Sequence, residues 1–216
     1  MDLTHPETGI VPNFAIVQST PMNSEKNKLV QFLTSSGLVT LTIAEEIAGH
    51  FSERNISKNE FFFRQGKMSN EYLFLEEGFM RAFAIDTEGN EVTTGFFSSN
   101  QVVLEVSSFF THTISKENLQ ALTDCKGWFI TYEQLNNLFH TLHEFREFGR
   151  SVLVKYLIFL KSRMLSMITE TAEERYGRLL ATNPEIFQHA PLKTIASYLG
   201  ITDSSLSRIR KEYSKK

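Results

Sequence analysis

Residues 192–210 read LKTIASYLGITDSSLSRIR, and every position in this stretch has a structural reason. Ile195 and Leu199 lie one helical turn apart and face inward, while Ala196 is small where two helices cross closely. Gly200 supplies the positive φ that ends a first helix, Ile201 plugs the turn, and the Thr202 hydroxyl caps the next helix. Leu206 and Ile209, at i and i+3, anchor that second helix to a core. This is the spacing of a helix-turn-helix. Its outer face carries Asp203, Ser204, Ser207 and Arg208, free to enter a major groove, where an arginine can contact guanine through both of its forks. Ser205, Arg210, Lys211, Lys215 and Lys216, together with the Thr202 end of the helix, supply phosphate contacts. A plain helical hairpin with a glycine between its helices is the competing reading.

Charge favours the first reading. From position 191 onward Lys193, Arg208, Arg210, Lys211, Lys215 and Lys216 face only Asp203 and Glu212, a local charge of +4 in a chain whose formal net charge is −3. A cationic module on an acidic body is the pattern of a charged-ligand binder.

Upstream, Phe145, Phe148, Val152, Tyr156, Phe159 or Leu160, Met164 and Met167 recur in steps of three and four, which predicts one long amphipathic helix. Its apolar stripe needs a partner, either the chain's own body or the same helix of a second copy. The second option makes Phe145, Phe148, Val152, Tyr156, Phe159 and Met164 dimerisation residues. Further helical patterns cover 172–181 and the neighbourhood of Ile186 and Phe187.

Before the long helix the period changes. Segments 61–64, 72–76, 79–85, 91–97, 101–106 and 118–130 are short and rich in Phe, Val, Tyr and Thr, with turn signals such as Gln65-Gly66, Glu77-Gly78, Gly89-Asn90 and Lys126-Gly127. Strands at this spacing predict an antiparallel sandwich or barrel. Two short helices precede them, at 25–34 and 42–51, the second with Thr42 as N-cap and Glu45 as its capping-box partner. Residues 1–24 read as a leader without visible chemistry.

Several function classes are disfavoured. No stretch approaches the roughly 18 to 20 apolar residues of a membrane span, so a soluble cytoplasmic protein is expected. A single cysteine, Cys125, cannot build an iron–sulfur cluster or a thiolate zinc site, and reads as buried and inert. Jelly-roll metal enzymes need clustered His and carboxylate ligands, whereas the six histidines are scattered and only His112 falls in the barrel; no metal, no cofactor and no catalytic residue are expected.

The order of elements resembles the Crp/Fnr family of transcription regulators over residues 25–216. The β domain is similar through Arg64-Gln65-Gly66, the run Tyr72 to Gly78, and Gly89-Asn90-Glu91; the C-terminal part through Ala172-Glu173-Glu174-Arg175-Tyr176 and the helix-turn-helix itself. The resemblance implies an α+β chain: a leader (1–24), a cyclic-nucleotide-binding-like double-stranded β-helix or jelly roll (25–142), a dimerisation helix (143–168), and a winged-helix-like helix-turn-helix (169–216) whose wing is truncated. It implies a homodimer on double-stranded DNA, with RNA polymerase and a small-molecule effector as further partners. The effector pocket would include Glu105, Ser115, Lys116 and Tyr156. Leu104 stands where cyclic-AMP binders place Gly, and Ser115-Lys116 where they place Arg-Ser, which points away from cyclic AMP. Two other functions remain open at this stage: a β-roll that regulates a protein partner, and a jelly-roll metal enzyme.

Overall fold

The structure is a computed structural model that describes residues 26–214. Two helices open it, α1 (Asn27–Thr34) and α2 (Leu41–Gly49), followed by β1 (Ser52–Ile56), β2 (Phe61–Phe63), β3 (Glu71–Glu77), β4 (Met80–Ile85), β5 (Glu91–Phe97), β6 (Gln101–Val103), α3 (Val106–Thr111), β7 (Glu117–Ala121) and β8 (Cys125–Thr131). Six helices complete it: α4 (Tyr132–Thr141), α5 (His143–Thr169), α6 (Ala172–Thr182), α7 (Ile186–His189), α8 (Leu192–Leu199) and α9 (Asp203–Tyr213). The leader at 1–24 and the predicted phosphate contacts Lys215 and Lys216 lie outside the described residues.

The strands form two antiparallel sheets, ordered β1-β8-β3-β6 and β2-β7-β4-β5. Leu73, Leu75, Met80, Ala82, Leu119 and Ala121 fill the space between them, which gives the expected roll. A second core seats α1, α2, α4 and the start of α5 against Phe74, Trp128 and Ile130 on the outside of the first sheet. Gly78 closes the β3–β4 turn at φ +106°, where an added Cβ would stand 2.6 Å from the Asp124 carbonyl.

Local details differ from the sequence reading. α2 is capped by Thr40, whose hydroxyl accepts from Ile43 N–H, rather than by Thr42. The segment 118–130 is two strands; they meet at Leu122–Asp124, and Gly127 sits inside β8, pressed against the Phe74 carbonyl. β1, Ser-Glu-Arg-Asn-Ile, was absent from the predicted strands because its polar residues lie at a sheet edge with one neighbour, β8.

Candidate functional site

The helix-turn-helix forms as its residues predict. Ile195 and Ala196 are fully buried, with Leu199, Leu206 and Ile209 close behind, and they share a core with Tyr176, Leu179 and Ile186 from α6 and α7. Gly200 takes φ +68°; its N–H donates to the Ser197 carbonyl and Ile201 N–H to the Ala196 carbonyl, each at 3.0 Å, which closes α8 with a Schellman pair. Two arginines serve the remaining carbonyls: Arg163 donates to Tyr198 O at 3.0 Å and stacks on its ring, and Arg175 donates to Leu199 O at 3.0 Å. The Thr202 hydroxyl accepts from Ser205 N–H at 3.2 Å and so starts α9.

This anchoring leaves Thr202, Asp203, Ser204, Ser207, Arg208, Arg210 and Lys211 exposed on one helix. Arg208 makes no hydrogen bond or ion pair with any described residue. α8, by contrast, is held against the roll: Thr93 N–H, on the edge strand β5, donates to Ser197 Oγ at 2.7 Å, and that hydroxyl lies 3.3 Å from the Glu91 carbonyl. Tyr198 packs on Phe96 with ring centroids 5.0 Å apart, and His189 on Phe79 at 5.4 Å. Sequence reasoning missed this seat, which joins residues about a hundred positions apart.

The long helix buries two of the residues nominated for the dimer face. Phe145 and Phe148 are each 2% exposed, packed on Phe139 and Phe32 of the same chain, so neither can meet a second copy. Val152, Tyr156 and Phe159 turn toward the roll and line a cavity there. Of the six nominated residues Phe159 and Met164 remain exposed, Phe159 while also lining the cavity. The outward face carries Leu153, Leu157, Leu160, Met164 and Met167, spaced four, three, four and three, with Val154, Ile158, Leu165 and Ile168 beside them, all exposed. The helix thus has two apolar faces, and its periodicity alone could not say which was which.

The cavity between α5 and the second sheet holds about 420 Å³. Gly95, Phe96 and Phe97 form one wall, Phe148, Val152, Tyr156 and Phe159 the other, and Ile186 and Tyr198 reach it from the helix-turn-helix unit. Among the described residues Lys155 is the single charged one in the lining. Of the four nominated effector-pocket residues only Tyr156 lines it. Glu105 is buried and accepts from Ser107 and Ser108 N–H at 3.2 and 2.6 Å, so it caps α3. Ser115 is buried and bonded to the Glu117 backbone, and Lys116 points into solvent.

Glu117, not foreseen, stands close by. Burial pushes its carboxyl above the usual range and the Glu105 carboxylate adds to this, while the nearby Thr94 hydroxyl opposes it from a position short of a true hydrogen bond. Burial, then the charges of Glu117 and Glu105, likewise raise the Tyr156 phenol. The alternation Glu117, Leu119, Ala121 was the sequence signal that this side chain points inward. Cys125 is buried as expected, its thiol pushed up mainly by desolvation.

Residues 53–141, which span the strands, match the cyclic nucleotide-binding domain. The chain is 25% identical over 168 residues to the transcriptional activator protein Anr of Pseudomonas protegens, covering 72% of this chain and 68% of that one. It is 24% identical over the same shares to the transcriptional activator FnrA of Stutzerimonas stutzeri. The chain is similar to Crp/Fnr transcription regulators in its matched domain and in these relatives. Solved structures agree on the fold: FixK2 from Bradyrhizobium japonicum superposes with a TM-score of 0.66 at 16% identity, covering 76% of this chain and 85% of that one. The regulator CLP of Xanthomonas campestris gives 0.64 at 19%, covering 83% and 92%. The chain carries a cyclic-nucleotide-binding-like domain, and the relatives it matches are Crp/Fnr-type transcription regulators rather than enzymes. Among the described residues no helix is long and apolar enough to cross a membrane.

Proposed function

We propose that this chain is a Crp/Fnr-type transcription regulator that works in the cytoplasm as a homodimer and grips duplex DNA with α9 of each protomer. Arg208 reads a guanine edge, Asp203, Ser204 and Ser207 flank it, and Thr202, Arg210 and Lys211 hold phosphates. The observation that carries this reading is Arg208 itself: an unpaired guanidinium on the outer face of a helix whose inner face is locked into a core. The dimer forms through the outward face of α5, around Leu157 and Ile158. Two-fold symmetry then sets half-sites one helical turn apart, about 34 Å.

The roll receives a small-molecule effector that is not a cyclic nucleotide. Glu105 spends both carboxylate oxygens on α3, and no arginine lines the cavity, so a cyclic phosphate finds no fork to bind it. RNA polymerase is the partner at the promoter. The test is selection of bound sequences from random duplex DNA, repeated with Arg208→Ala across a salt series. A palindrome whose guanine preference vanishes in the variant is expected; no enrichment and a flat salt response refute the reading.

A further inference from the structure

The cavity beside α5 is built for a different ligand chemistry from the one its domain class is named after, and it sits where three parts of the molecule meet. Its walls are aromatic and aliphatic, with Phe96 and Phe97 from β5 facing Phe148, Val152 and Tyr156 from α5. At about 420 Å³ it falls within the roughly 300–1,000 Å³ typical of small-molecule pockets. The charges around it are unsuited to an anion: Lys155, exposed at the mouth, is the only cation in the lining among the described residues, and the carboxyls of Glu105 and Glu117 lie close enough to Tyr156 to raise its phenol. One polar handle is unused. The Thr94 hydroxyl is shut away from solvent in the cavity wall beside the Glu117 carboxyl, and among the described residues it makes no hydrogen bond of good geometry.

We infer that the cavity binds an uncharged apolar molecule carrying one hydroxyl or carbonyl for Thr94, and that the ligand couples the dimer seam to the reading head. The coupling follows from shared residues. Leu153 and Leu160 line the cavity and also belong to the outward face of α5, while Tyr198 lines it from α8 and rests on Phe96. A ligand that displaces Phe96 or presses on Leu160 changes the seat of α8 and the packing of the seam together. This inference rests on the proposed reading of the protein as an effector-controlled DNA binder, and it fixes the class of effector.

The experiment uses the full chain and the uncharged fluorophore N-phenyl-1-naphthylamine. Saturable binding of one probe per protomer is expected, with no displacement by cyclic AMP. Gly95→Leu fills the cavity from the sheet side, where an added Cβ meets only ordinary contacts at 3.8 Å; Val152→Trp fills it from the helix side. Either variant that keeps its native circular dichroism should weaken the probe at least tenfold, and probe binding should shift the affinity for the selected DNA by at least fivefold. Unsaturable binding, an undiminished signal in both folded variants, or displacement by cyclic AMP overturns the ligand class. Binding that leaves DNA affinity unchanged overturns the coupling. Operator binding by the probe-free protein is measured in parallel: if it persists while the probe fails, this inference falls alone, and if it is absent, the DNA-binding reading falls instead.

Discussion

Leu157 lies at the centre of the outward face of α5 and is 66% exposed in the isolated chain. Leu157→Ala deletes three carbons, worth ~0.8 kcal/mol each when buried, so covering the exposed two-thirds contributes about 1.6 kcal/mol per protomer and about 3 kcal/mol per dimer. That corresponds to a roughly 200-fold weaker dimer. Sedimentation equilibrium over a concentration series reads the change directly, and thermal unfolding of the monomer should hardly move because the side chain touches little within its own chain. Phe148→Ala is the opposite case. It opens a hole in a core that is closed within one protomer, which costs about 3–5 kcal/mol of folding stability and leaves the dissociation constant of the surviving dimer within a few-fold. A Leu157→Ala protein that dimerises as tightly as the parent, or a Phe148→Ala protein that loses dimerisation without losing stability, refutes the assignment of the two faces.

Three further outcomes follow from the geometry. Lys211→Ala should weaken binding to selected and unrelated duplexes alike and reduce the slope of log affinity against log salt by about 0.9 per protomer, measured by fluorescence anisotropy, because a phosphate contact positions without reading. Gly200→Ala should cost roughly 1–2 kcal/mol in denaturant unfolding, since φ is left-handed there; the added Cβ meets only the mobile Cε end of Met167. Glu117→Gln should raise the melting temperature near pH 7.5 and leave it unchanged near pH 4, because the folded carboxyl titrates above its unfolded counterpart, so the parent loses stability as pH rises from the unfolded value through the raised one and carries the full penalty above it; a variant less stable at pH 7.5 contradicts the burial argument.

The C-terminal motif was legible almost residue by residue, because each requirement of a helix-turn-helix is local: an inward i, i+4 pair, a glycine at the turn, a capping hydroxyl. The roll was legible as a class, since short apolar strands between turn residues admit few architectures, but β1 was hidden by its polar edge position, and β7 and β8 were read as one segment across the turn at Leu122–Asp124. The long helix was found with its ends nearly right, but two of its nominated apolar residues pack within the chain. Phe145 and Phe148 hold α5 to its own roll, while an exposed apolar stripe runs through Leu153, Leu157 and Leu160, so two stripes on one helix merge into a single periodic signal. The cavity and the Thr93–Ser197 contact were invisible for another reason: they join residues far apart in the chain, and only the tertiary arrangement brings them together.

The contact between β5 and α8 also bears on how this protein avoids aggregation. β5 ends its sheet, and a bare strand edge is a template for another strand. Ser197 occupies the Thr93 amide and the body of α8 shields that border, so the helix-turn-helix unit doubles as the lid on a sticky margin. A regulator that swung its head fully away to reach DNA would bare that margin at each promoter visit. The economical motion is a pivot about Ser197 that keeps the edge covered while α9 changes its angle.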